Sequence, residues 1–514
     1  MGKHACSGSI LRAVDPIRHG LGADALAEIQ SPGPRIKAAC GCGSARCRHT
    51  SEDLEADGWT VHVDFAPRHT DDYTETGFKD NNHAEVDGIK TNVTSAYNAG
   101  ARMLLIIGHV VIPYSGYHNP DTHGVRYGPS DLFYVDVDGV WTDTDTNSAM
   151  AVIDEEFQYG ANDGRFDQSI IPMNSFGVYN GIELGVGRVD FARIPDLGTG
   201  DSPSTSQQMQ TEVNSIASYF EKVRKYRRSE APYPLPEQAT AWAVNGLSPA
   251  NIVGRYRAIL GTDPSKIVSA NSFMQQSASY LFGYTGGVTT DPNGDGFTSS
   301  SPLNTIRLWH RLTDFLTPSR MPRIAFAFFT ASFHWDWNRE MSVLRSLVSS
   351  SDFGIASAWD KGRWQIELLA LGECLGATQI RNVQAFVPVR NEFNEDVNAL
   401  GGAPTDGTFF AIVGDPTLRL HYLLPPSSVA MDGLQLNWGA SQDPAVSQYL
   451  VYRKDSPTSV YARVSSSSLP VSCCSVGLTA NDAAATSLMV RSVKTISTGA
   501  GSYEALSHGT VFIP

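Results

Sequence analysis

The sequence predicts an α/β protein whose parallel sheet work fills most of the chain, followed by a small all-β sandwich. Three observations carry this. Apolar runs of five or six residues recur, at Met103–Ile107, Ile324–Phe329, Phe353–Ala358 and Phe409–Val413. Such runs, bounded by turn residues, are strands buried on both faces, as in parallel sheets. Helical segments such as Val86–Asn98 and Gln207–Arg228 separate the runs, which implies parallel βαβ units. After Pro425-Pro426 the pattern changes to short alternating strands with turn residues between them, the signature of a sandwich.

The elements follow in order. Residues 1–50 show no strand or helix period and are rich in Ala, Gly, Arg and Cys, so they read as a disordered or mistranslated leader. No charged stretch followed by an apolar one marks a secretory signal. Cys40, Cys42, Cys47 and His49 are of metal-ligand type, but their spacing matches none of the usual zinc patterns. Residues 51–198 form a first α/β block, with strands at Trp59–Phe65, Met103–Ile107 and Ile182–Val189. Residues 199–424 form a second, with strands at Ser279–Tyr284, Ile324–Phe329, Phe353–Ala358 and Phe409–Val413 and a helix over Arg339–Ser349. Residues 425–514 carry the strands Leu434–Trp438, Tyr449–Arg453, Leu488–Val493 and Thr510–Ile513.

Composition narrows the function. The chain has 514 residues, 41% apolar and 18% charged, as a globular protein does. Its net charge of −14 disfavours nucleic acid, which demands clustered Lys and Arg. No apolar run is long enough to span a membrane. Of the seven cysteines only Cys374, Cys473 and Cys474 lie beyond residue 50, so the body is not a disulfide scaffold.

In open α/β sheets, ligands bind outside the carboxyl ends of strands. Two such ends are chemically rich here: Ser332, His334, Trp335, Asp336 and Trp337 after one strand, Trp359 and Asp360 after the next. The tryptophans either pack under a loop or offer an aromatic platform to a sugar or peptide side chain. An aspartate-rich loop supplies Asp136, Asp138, Asp143, Asp163 and Asp167, hard oxygen donors of the kind calcium prefers. The alternative is a solvated loop whose aspartates make Asx-turns. Asp291, Asn293 and Asp295 resemble the opening of an EF-hand loop, but its twelfth position is Pro302 and not Glu.

Several segments resemble the gingipain-like cysteine peptidases, relatives of the caspases. They are Leu105-Ile-Ile-Gly-His-Val-Val-Ile-Pro113, Ser130-Asp131-Leu-Phe-Tyr134, Val186-Gly-Arg-Val189, Gly286-Gly287, Ala331-Ser332 and Val413-Gly-Asp-Pro-Thr-Leu-Arg-Leu420. They come in the family's order across residues 54–424, and bacterial members share the trailing sandwich. The last 90 or so residues resemble a fibronectin type III domain, with Trp438 as core tryptophan and Leu488 where a tyrosine is usual.

The resemblance implies two doubly wound parallel-sheet subdomains followed by that sandwich, and an extracellular location. It places Asp131 near the substrate pocket, where it can bind a basic side chain or cap a helix. It also implies a catalytic Cys and His at neighbouring strand ends. Those positions fall here on Ser332 and about Gly287, beside Gly286.

A serine at the nucleophile position needs a base within hydrogen-bond reach. His334 is two residues on, too far along a straight strand for a short contact. His109 and His310 are the other candidates. The expectation is therefore a non-catalytic module binding a peptide, protein or glycan. The alternative is a hydrolase using Ser332 or another nucleophile.

Overall fold

The computed structural model describes residues 45–66, 83–115, 128–144, 161–194, 206–243, 256–269, 278–290, 321–329, 342–359, 364–386 and 407–514, less single positions and short breaks, with shorter pieces of which the first is Ser9–Val14. It is a mixed α/β protein with a largely parallel sheet and several antiparallel ones.

One ten-stranded sheet forms the spine. From edge to edge its strands are Ile267–Ser269, Ala239–Ala243, Tyr280–Gly286, Ile324–Phe329, Ala356–Trp359, Ala411–Gly414, Gly185–Val189, Ala101–Ile107, Ser9–Val14 and Thr60–Phe65. The apolar runs become its buried centre, and all six residues of Ile324–Phe329 are buried. Ile324–Phe329 and Ala356–Trp359 pair in parallel, as expected of neighbouring strands in a βαβ unit.

Two features differ from the sequence expectation. The two α/β blocks do not build separate subdomain sheets; their strands join one sheet. The junction is Ala411–Gly414, antiparallel to Ala356–Trp359 and parallel to Gly185–Val189. All other neighbours in the sheet are parallel. The two halves thus run in opposite directions, and their carboxyl ends open at opposite rims. An apolar run announces a buried strand but not its direction. Secondly, Ser9–Val14 lies inside the sheet, paired on both edges with Thr60–Phe65 and Ala101–Ile107, where the sequence predicts a leader without structure. Six residues with Arg12 in their middle are too short for a period to show.

Helices cover the sheet. The helix Leu375–Phe386 lies so close to Gly185–Val189 that a Cβ on Gly185 would sit 2.5 Å from the Gly376 Cα. Its Gln379 then completes the sheet: Oε1 accepts from the Val186 N–H at 2.8 Å. Lys222, on the helix Ser206–Arg227, is buried and donates to the carbonyls of Val348, Ser350 and Phe353 at 2.6–2.8 Å. It thereby satisfies acceptors that the helix Val343–Ser349 leaves open at its end. Cys374 is fully buried just before the helix Leu375–Phe386, where a packing role is expected. Among the described residues no helix is long and apolar enough to cross a membrane.

The C-terminal region has two antiparallel sheets. Val429–Asp432, Gln435–Trp438 and Ser475–Gly477 form one; Gln448–Lys454, Ser487–Thr498 and Gly501–Leu506 are the backbone of the other. Trp438, Tyr449, Leu436 and Leu488 fill its core. A buried charge cluster fastens this region to the body. Asp57, just after the helix Ala45–Ala56, faces Arg419, Arg227 and Arg491, with Arg491 Nη2 at 3.3 Å. Burial alone would raise the Asp57 pKa, but the three arginines hold it below the usual carboxylate value.

Candidate functional site

Two groups of titratable side chains lie at opposite ends of the strand Gly185–Val189. The first forms where Ala101–Ile107 and Gly185–Val189 end side by side. Gly108 takes φ +83, a conformation L side chains resist, and so breaks the strand at once. The next residue, His109, meets Asp190 of the neighbouring strand end, with Nδ1 2.8 Å from Oδ2. Both are buried. Asp190 Oδ1 also accepts from the Ala192 N–H at 2.9 Å, and Arg345 Nη1 lies 4.0 Å away. Burial pushes the Asp190 pKa up, but His109 and Arg345 outweigh it and hold the carboxyl well below its usual value. Beside this pair, the His69 ring centre is 5.9 Å from that of His109, and Arg68 grips Glu212 with two contacts of 2.8 and 3.1 Å. A carboxylate on Nδ1 fixes an imidazole's orientation, the geometry that prepares Nε2 to take a proton.

The second group is acidic. The helix Leu132–Val135 ends at Asp136, and the chain turns tightly through Gly139. Asp136 Oδ1 accepts from the Gly139 N–H at 3.0 Å, and Oδ2 accepts from Trp141 Nε1 at 2.7 Å. Glu183 Oε2 accepts from the Val137 N–H at 2.8 Å. Asp136, Asp138 and Glu183 bring carboxylate oxygens within 4.8 Å of one another, a group that could hold a metal ion. Burial pushes Asp136 up to about 6, against the pull of Lys90. It pushes Glu183 up to about 7, with Asp136 and Asp138 adding repulsion. Lys90 sits over the Phe133 ring at 4.2 Å, and burial lowers its pKa to about 8 although Asp136 and Glu183 favour its charge.

No family model, curated protein or solved structure matches this chain.

The predicted site residues divide as follows. Of the five aspartates expected to share calcium, Asp136 and Asp138 come together, joined by Glu183. Asp143 and Asp167 fall outside that group and serve the loop instead. Asp143 accepts from the Asn162 N–H at 2.9 Å, and Asp167 Oδ2 from the Thr142 hydroxyl at 2.8 Å and the Thr144 N–H at 2.9 Å. Asp163 lies outside the described residues, as do Ser332, His334, Trp335, Asp336 and Gly287. Asp291, Asn293 and Asp295, and Cys40 and Cys42, lie outside them too.

Gly286 ends its strand at the rim opposite His109. Trp337 and Trp359 are each 2% exposed, so neither turns an indole face to solvent. Trp337 instead lies against the Arg188 guanidinium, 5.2 Å from ring centre to Cζ. Asp131 does not await a guest: both its oxygens accept from Arg188, at 2.7 and 2.9 Å. Glu183 and Lys90 carried no motif in the sequence. The one available signal for Glu183 was a carboxylate near the start of the predicted strand Ile182–Val189.

Proposed function

We propose that the chain is a gingipain-like extracellular module that binds a peptide, protein or glycan without hydrolysing it, its acidic loop held by calcium. The observation that supports this reading is the reversal of the sheet at Ala411–Gly414. It puts the His109–Asp190 pair at the rim opposite the ends of Ile324–Phe329 and Tyr280–Gly286, the strands that precede the family's two catalytic positions. The family's thiolate position is Ser332, and its base position is about Gly287. An alkoxide forms far less readily than a thiolate, so a base must stand beside it. Arg-, Lys- and Asp-linked fluorogenic peptides should not be turned over by the reduced protein, with or without calcium. Turnover abolished by iodoacetamide and by Cys374→Ala would overturn this reading. Calcium should raise the melting temperature, and EDTA should remove the gain.

A second reading, a hydrolase, is favoured by the 2.8 Å His109–Asp190 contact at two strand carboxyl ends. It expects labelling by a fluorophosphonate, lost in Ser332→Ala if that serine is the nucleophile, and activity lost in His109→Ala.

A further inference from the structure

We propose that the exposed turn carrying Phe176, together with the acidic triad beside it, is a docking surface for a basic peptide segment of a partner protein. The segment would present an arginine or lysine next to an apolar side chain. This rests on the reading of the chain as a binding module and names the ligand chemistry of one face.

The turn is built to hold apolar groups outward. Phe176 is 89% exposed, Val178 53% and Val140 50%. Scattered exposed apolar residues require no explanation, but these three lie on adjoining segments of one turn region. The segments do adjoin: the Val140 N–H donates to the Met173 carbonyl at 2.9 Å, and Gly139 bridges to Asn174. The turn is also ordered. Asn174 Oδ1 accepts from the N–H groups of Phe176 and Val178 at 3.0 and 3.1 Å, and Gly177 at φ +74 makes the reversal. Such a turn presents Phe176 at little further entropic cost on binding.

Charge selects the occupant. The turn hangs from Asp138, whose carboxylate accepts from Asn174 Nδ2 at 3.4 Å and from Asn180 Nδ2 at 2.9 and 3.0 Å. Asp138 is exposed, and Asp136 and Glu183 lie behind it. Among the described residues the three clustered carboxylates face the ammonium of Lys90, which leaves them able to accept a further positive charge. A basic residue supplies that charge while its apolar neighbour covers Phe176. The chain's net charge of −14 adds long-range attraction for such a segment.

The test is fluorescence anisotropy with a labelled peptide of alternating arginine and leucine, run in EDTA and repeated with calcium, which competes for the same carboxylates and should weaken binding. The full-length protein should bind it saturably. Phe176→Ser should weaken binding about tenfold or more, with an unchanged melting curve since the side chain is exposed. Asp138→Asn should weaken it as well. A peptide of alternating glutamate and leucine should not bind.

The proposal is overturned if no saturable binding is seen, or if Phe176→Ser binds as tightly as the parent. It is also overturned if Phe176 instead governs binding to vesicles containing phosphatidylserine while the peptide does not bind. Mass spectrometry of the recovered peptide separates this from the parent reading. Cleavage accompanied by Phe176-dependent binding would support the surface and overturn only the non-catalytic reading.

Discussion

Lys90 and its carboxylate neighbours give the protein a distinctive dependence on pH. Asp136 and Glu183 bind their protons more tightly when folded, at about 6 and 7, than their ordinary values of 3.8 and 4.5. Their contribution to stability is full below the ordinary values and is lost as pH rises through 6 and 7. Lys90 runs the other way. Its contribution is present above 10.5 and is lost as pH falls through about 8. The two losses meet between about 7 and 8, where three ionised groups share a poorly solvated site. Urea midpoints measured across pH should dip there, and Glu183→Gln should make the fall on the acid side shallower. A monotonic profile in both proteins would sink the idea. Part of this cluster was legible in the sequence, since Asp136, Asp138 and Gly139 sit within four residues. Lys90 and Glu183 were not, because the helix His83–Asn98 and the strand Gly185–Val189 bring them in from the side. Asp131 teaches the same lesson. Its motif drew attention, but its partner Arg188 is 57 residues away and becomes visible only once the fold is known.

At the scale of elements, strands proved easier to find than to orient. Ile324–Phe329 announces itself by six apolar residues in a row. Ala411–Gly414 is as apolar, yet its antiparallel pairing follows from the chain's route, on which local composition is silent. Ser9–Val14 fell below detection, and its consequence is the most testable. Removing residues 1–14 leaves Thr60–Phe65 and Ala101–Ile107 without the strand that joins them. Each would then expose a row of backbone donors and acceptors. Expected is loss of the cooperative melting transition, or insoluble protein. A truncated protein that melts at the parent temperature would show that the strand is dispensable, as the sequence alone suggests.

At the scale of the molecule, the β-sandwich and the α/β body are expected to melt together. Asp57 is buried among Arg227, Arg419 and Arg491, and the last of these belongs to the sandwich strand Ser487–Thr498. His508 adds a contact of 3.4 Å to Asp53. Asp57→Ala would leave three arginines facing one another in a buried site, a loss of about 3–5 kcal/mol by analogy with other broken buried pairs. Calorimetry should show a single transition in the parent protein and a lowered, divided one in the variant. A single unshifted transition in Asp57→Ala would mean that the cluster does not couple the two parts.

The same contact has a meaning for biosynthesis. Asp57 and Arg491 are 434 residues apart. At ordinary translation rates of 5–20 residues per second, roughly a minute passes between the appearance of one and the other. Through that interval the nascent body carries an aspartate whose third guanidinium has yet to be made. The lock between body and sandwich closes only after the strand that carries Arg491 has left the ribosome.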